Sequence, residues 1–175
     1  MSELIIKAPD AGEYPSFYET YVSLVPGEGG VVVALEQQLA EMLALLGGLS
    51  AAQADSRYAP GKWSVKELVG HVIDSERVFA YRALSFARGD TAPLPGFDQD
   101  VFAGHANFGA CSVPDLAAEF EHVRRANLHL FRQFDEEAWG RRGVANNSEI
   151  TVRALAYGIA GHELHHRKIL RTRYL

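Results

Sequence analysis

Four stretches of this chain carry apolar residues at alternating steps of three and four, and that spacing limits the fold more than any other feature. Such a period puts the apolar residues on one helix face, which must be buried against another element. Residues 32–49 set Val32, Leu35, Leu39, Met42, Leu46 and Leu49 on one stripe, with Glu36, Gln38 and Glu41 outside it. Gly47-Gly48 predicts fraying in the last turn. A shorter helical piece, residues 16–25, precedes it across Pro26-Gly27-Glu28-Gly29-Gly30. Ser64-Val65-Lys66-Glu67 reads as a capping box, opening a helix that runs to Arg88 and stops at Gly89. Ser112-Val113-Pro114-Asp115 opens a third, with proline in the first turn and a stripe of Leu116, Phe120, Val123, Asn127, Leu130 and Phe134. Thr151 is an N-cap for the last helix, whose stripe holds Leu155, Ile159, His162, His166 and Ile169.

Proline, glycine and polar residues make 91–109 and 140–147 read as loops. No segment alternates as a strand would. The expected fold is therefore all-α, a four-helix bundle, in which the 91–109 connection allows a crossover as readily as an up-down order. A length of 175 residues suits one domain over the whole chain, with residues 1–13 loosely ordered. One cysteine, Cys111, excludes an internal disulfide and an all-cysteine metal site. The net charge of -5 argues against a nucleic-acid partner, since such proteins present a strongly basic face. Glu3, Lys7, Asp10 and Glu13 interrupt any secretory apolar core near the N-terminus. Glu36, Gln37, Gln38 and Glu41 interrupt the longest apolar run, so neither a membrane span nor a membrane partner is expected. A soluble, cytoplasmic protein is the expectation.

The chemistry concentrates in Gly161-His162-Glu163-Leu164-His165-His166. His162 and His166 are four apart, so both imidazoles leave one helix face a turn apart, on the stripe where Ile159 and Ile169 face the core. Imidazoles in a core need partners, and a divalent metal meets that need as well as protein hydrogen bonds would. His165 points about 60° off the His162 direction, as a neighbour or surface residue. His71, His105, His122 and His129 are the candidates for a third ligand. His71 alone of these clearly faces a bundle interior, on a stripe continuing through Ser75, Val78 and Arg82. A site of His71, His162 and His166 with an open position suits zinc, nickel or ferrous iron. Asp74 and Glu163 are the candidate catalytic residues, able to orient imidazoles or hold a proton near the metal; the alternative is a solvated helix-surface carboxylate.

The string Tyr58-Ala59-Pro60-Gly61-Lys62-Trp63-Ser64-Val65-Lys66-Glu67-Leu68-Val69-Gly70-His71, with Asp74-Ser75-Glu76-Arg77 after it, resembles the opening motif of the DinB-like superfamily. Leu94-Pro95-Gly96-Phe97-Asp98-Gln99-Asp100 and the segment from Gly161 to His166 resemble that family's loop and last-helix motifs. The resemblance runs from about Tyr14 onward and implies a four-helix bundle with a divalent metal on His71, His162 and His166. It also implies a small-molecule substrate and a homodimer. Members of this family are described as candidate metal-dependent hydrolases, or as S-transferases using low-molecular-weight thiols such as bacillithiol, mycothiol or glutathione.

Two other readings of the function compete. His162-Glu163-Leu164-His165-His166 matches H-E-x-x-H, the metalloprotease signature, with Glu163 as the base. Such enzymes mostly take a third ligand downstream, and residues 167–175 contain no His, Asp or Glu. A non-catalytic module stabilised by its metal, serving stress response or interaction, fits the same residues. Arg82 could bind an anionic substrate group or pair with Asp74 or Glu76. Asp98 and Asp100 could cap a pocket or serve ordinary turn chemistry. Trp63, Trp139 and Phe79 read as packing residues, and the Arg124-Arg125 pair as solvated.

Overall fold

A computed structural model describes residues 5–175. Two 3₁₀ turns, Ala11–Glu13 and Ser16–Tyr18, lead into a one-turn helix α1 (Glu19–Val22). Then follow α2 (Gly30–Gly47), α3 (Ala51–Asp55), α4 (Val65–Ala87), α5 (Gln99–His105) and α6 (Val113–Phe131). The chain ends with α7 (Glu136–Gly140), a hairpin of β1 (Arg142–Ala145) and β2 (Ser148–Thr151), α8 (Val152–Ile169) and a π-helical turn, Leu170–Tyr174.

The starts of the long helices follow from local chemistry. Ser64 Oγ accepts from the Glu67 N–H at 3.2 Å, and Glu67 accepts from the Ser64 N–H at 2.7 Å. Ser112 and Thr151 cap α6 and α8 through the N–H groups of Asp115 and Ala154. Arg88 closes α4, and Gly89 follows at φ 83°, a conformation glycine adopts without steric cost.

The four long helices form an all-α bundle. α4 packs on α8 and α6, and α2 packs on the same two. Consecutive α2 and α4 therefore sit on one diagonal of the bundle and α6 and α8 on the other, so the order is not up-down. α4 and α8 run antiparallel: the Tyr174 hydroxyl beyond α8 donates to the carbonyl of Trp63, just before α4, at 2.6 Å.

Several sequence expectations need correction. The 91–109 segment is not all loop: Asp98 caps α5 by accepting from the N–H groups of Asp100 and Val101. α5 has no buried residue, so it leaves no stripe to read. The 140–147 segment holds the end of α7 and most of a hairpin, which turns through Asn146 and Asn147 at φ 50° and 61°. Two successive positive φ angles match the twist of paired strands, and asparagine tolerates them. Arg124 is fully buried rather than solvated: Nε and Nη2 each donate to Glu76 at 2.8 Å, and Nη1 donates to the Leu35 carbonyl at 3.0 Å. The α6 stripe runs through Arg124 and Leu128 as a result.

The expectation of loose order for residues 1–13 lies outside the described residues for 1–4. From residue 5 onward the segment is anchored: Ile6 is buried and its carbonyl accepts from Tyr157 Oη at 3.0 Å. Glu13 is buried and accepts from Thr151 Oγ1 at 2.9 Å and from Arg153.

α2 is long and apolar enough to cross a membrane by length and composition, at a mean hydropathy of 1.3 over 18 residues. Its four interrupting polar residues do not by themselves exclude a span. In this fold it is a core helix, with Val31, Leu35 and Met42 fully buried and Glu36 and Glu41 paired to Arg132 and Arg167.

Candidate metal centre

α4 brings His71, and α8 brings His162 and His166, to one point between the helices. His162 Nε2 lies 3.0 Å from His71 Nε2 and 3.1 Å from His166 Nε2. One ligand nitrogen from each lies within 4.8 Å of the others. His71 and His162 are 4 % and 5 % exposed. A ring nitrogen carries either a proton or a lone pair, so His162 Nε2 cannot satisfy both neighbours through hydrogen bonds. A single cation at the point of convergence would satisfy all three. The donor set suits zinc, nickel or iron(II) and leaves coordination open for a further ligand.

Burial dominates the electrostatics. It lowers the His71 pKa to about 4 and the His166 pKa to about 3, the latter helped by neighbouring His71 and His165. His162 is pushed well below the ordinary value, by burial first and then by the adjoining imidazoles. All three rings are thus neutral near pH 7, the form that offers a lone pair to a metal. Ser75 Oγ sits 3.4 Å from His71 Nδ1, one turn along α4, and holds the outer side of that ring. His166 Nδ1 is buried without a hydrogen-bond partner among the described residues.

Two cavities meet at this cluster. One, of about 220 Å³, reaches His71 and His162 and is walled by Tyr18, Tyr21, Phe79 and Phe97, with Arg82 in its lining. The other, of about 540 Å³, reaches His166 and is bounded by Trp63, Lys62, Asp100 and Tyr174. Gln99, at the first position of α5, lines both. Aromatic rings pack on the imidazoles: Trp63 on His71 at 4.8 Å, and Tyr21 edge-on to His162 at 5.3 Å. Burial raises the Tyr18 pKa to about 12, although the nearby Arg82 charge works the other way.

The candidate catalytic carboxylates are not brought to the cluster. Glu163 is fully buried, lines neither cavity and lies 3.5 Å from Arg167 Nε. One residue along a helix rotates by about 100°, which turns Glu163 away from the His162 face toward the side where Arg167 and Arg124 lie. The protease-like reading loses its base for the same reason. Asp74 pairs with Arg77 on the surface at 3.4 Å, and the place it would need beside His71 belongs to Ser75. Asp74 and Glu76 are both committed elsewhere, so neither pairs with Arg82. Of the other histidines, His165 is half-buried against Tyr21, and His105, His122 and His129 are exposed. Trp63, Tyr18, Tyr21 and Phe79 belong to the site although the sequence marks them only as aromatic. Asp98 serves as the N-cap of α5, and Asp100 lines the second cavity.

The sequence profile of the DinB superfamily matches residues 34–170, which include all three histidines. The chain belongs to the DinB superfamily. A relative in Oceanobacillus iheyensis is 30% identical over 111 residues, 62% of this chain and 63% of that protein, and is named a candidate metal-dependent hydrolase. The matched stretch thus spans less than two thirds of that relative. Among solved structures, the DinB bundle described here superposes on YfiT from Bacillus subtilis with a TM-score of 0.71 at 16% identity, covering 95% of this chain and 93% of that one. YfiT is described as a candidate metal-dependent hydrolase with an unusual four-helix bundle topology. A mycothiol-dependent maleylpyruvate isomerase superposes with a TM-score of 0.65 at 12% identity, over 78% of this chain and 58% of that one. At these identities the likeness is one of fold.

Proposed function

We propose that this DinB-superfamily protein is a metal-dependent enzyme acting on a small molecule, with one divalent transition metal, zinc or nickel, on His71, His162 and His166. The observation that carries the reading is the convergence of three neutral Nε2 atoms in a place reached by two cavities. When bound, the ion supplies a Lewis acid that acidifies a thiol or a water at its open position.

The chain's own residues do the rest. Ser75 fixes the His71 ring, so that Nε2 and not Nδ1 faces the centre. Trp63, Tyr21 and Phe79 close over the imidazoles and exclude bulk water, which strengthens every charge interaction inside. Having two approaches, one at His71 and His162 and one at His166, favours a two-substrate transfer over simple hydrolysis. The transfer reading takes a low-molecular-weight thiol as cosubstrate, because Cys111 lines neither cavity. Hydrolysis, the second reading, is supported by the naming of the Oceanobacillus relative.

The experiment is a screen of the zinc- and nickel-loaded protein for thiol transfer to electrophiles and for ester and amide hydrolysis, run beside His71→Ala. The expected result is thiol transfer that falls to background in the variant. A blank screen for the wild type, with His71→Ala merely lowering thermal stability, would show that the metal serves only to hold the bundle.

A further inference from the structure

Arg82 is 4 % exposed and lines the smaller cavity. It donates from Nη2 to the Pro95 carbonyl at 2.7 Å, and its other polar neighbour is the uncharged Tyr18 hydroxyl. The other two buried arginines have carboxylates: Arg124 has Glu76, and Arg167 has Glu41 and Glu163. Arg82 takes part in none of the ion pairs among the described residues. A buried cation without a counter-charge is costly to keep, and the cavity beside Arg82 is where an anion can supply that charge.

We propose that Arg82 is the anion receptor of the smaller cavity, and that the substrate taken there is a small organic carboxylate with its carboxylate on the guanidinium and its reacting end at the imidazoles. A planar guanidinium presents two parallel N–H groups to the two oxygens of a carboxylate. One guanidinium with no lysine or second arginine in the lining matches a single negative charge better than a phosphate dianion. The walls fit the rest of such a molecule. The Phe79 ring spans the interval, its centroid 5.8 Å from Arg82 Cζ and 6.0 Å from the His162 ring. Phe97 also lies against the guanidinium, its ring centroid 5.9 Å from Arg82 Cζ. A short apolar body can therefore lie along Phe79 between the two ends. The backbone fixes the receptor: the Pro95 carbonyl orients the guanidinium, and Leu94 is held to the hairpin by bonds to Val144 and Asn146.

The proposal rests on the imidazole cluster being the reacting end, but its test does not. Binding of 3-phenylpropionate and of its neutral amide is measured by calorimetry for the wild type, Arg82→Gln and Arg82→Lys. Each protein is tested zinc-loaded and after chelation, with folding checked by circular dichroism. The wild type should prefer the acid over the amide by about tenfold or more with and without zinc. Arg82→Gln should lose the preference, and Arg82→Lys, which keeps the charge, should keep part of it. Acid and amide binding alike, or neither binding, would overturn the proposal. So would a preference that survives in Arg82→Gln, or one seen only with zinc, since the metal would then be reading the carboxylate. Zinc uptake measured on the same samples tests the metal reading separately: a preference for the acid in protein that takes up no zinc would leave the receptor standing and the metal reading refuted.

Discussion

Glu163 shows how one residue's environment overrides its motif. Its two oxygens are buried with no hydrogen-bond partner among the described residues, and burial raises its pKa to about 7 against the pull of Arg167 and Arg124. The folded protein thus holds a proton that the unfolded chain releases above its ordinary value of 4.5. That contribution to stability is present below 4.5 and is lost as pH rises through about 7. Glu163→Gln removes the titration. Its stability relative to the wild type should therefore increase from about pH 5 to about pH 8 in urea unfolding, whereas a flat difference would place the charge elsewhere. At this scale the sequence was only partly legible. His71, His162 and His166 could be chosen because helical spacing places a residue on a face. Glu163 and Asp74 could not be placed, because a partner three-dimensional neighbour such as Arg167, Arg124 or Ser75 decides where a carboxylate is useful. Arg124 reads as solvated for the same reason: its carboxylate, Glu76, is supplied by another helix.

The elements carry the site through close backbone approach. A methyl group on Gly161 would lie 2.0 Å from the Tyr21 carbonyl oxygen, so the absence of a side chain lets α1 rest on α8 and set the Tyr21 ring against His162. Gly161→Ala gains up to about 1 kcal/mol of helix propensity. It must also displace backbone, and overpacking of that kind costs about 1–3 kcal/mol or more. The clash should win: Gly161→Ala should lower the urea midpoint, while Gly47→Ala, with open space around it, should not. An unchanged midpoint for Gly161→Ala would mean that α1 is free to shift. The capped starts of α4, α6 and α8 were readable because caps are local. α5 and the hairpin were not: α5 buries nothing, and the strands' pairing partners are set by the fold, which also ties Leu94 to Val144.

Across the bundle, the successive long helices α2 and α4 lie on a diagonal, which makes α4 and α8 neighbours. That adjacency, invisible to any helix stripe, is what carries His71 to His162 across 91 positions of sequence. The N-terminal aromatics, α5 and the hairpin then wall the place where the two helices meet. On the proposed reading, this meeting point holds one divalent metal. That reading is tested most directly by elemental analysis of protein purified without a histidine tag, alongside His162→Ala. The wild type should carry about one zinc or nickel per chain, and the variant almost none. Wild-type protein that carries no metal as purified and takes up none on reconstitution would contradict it.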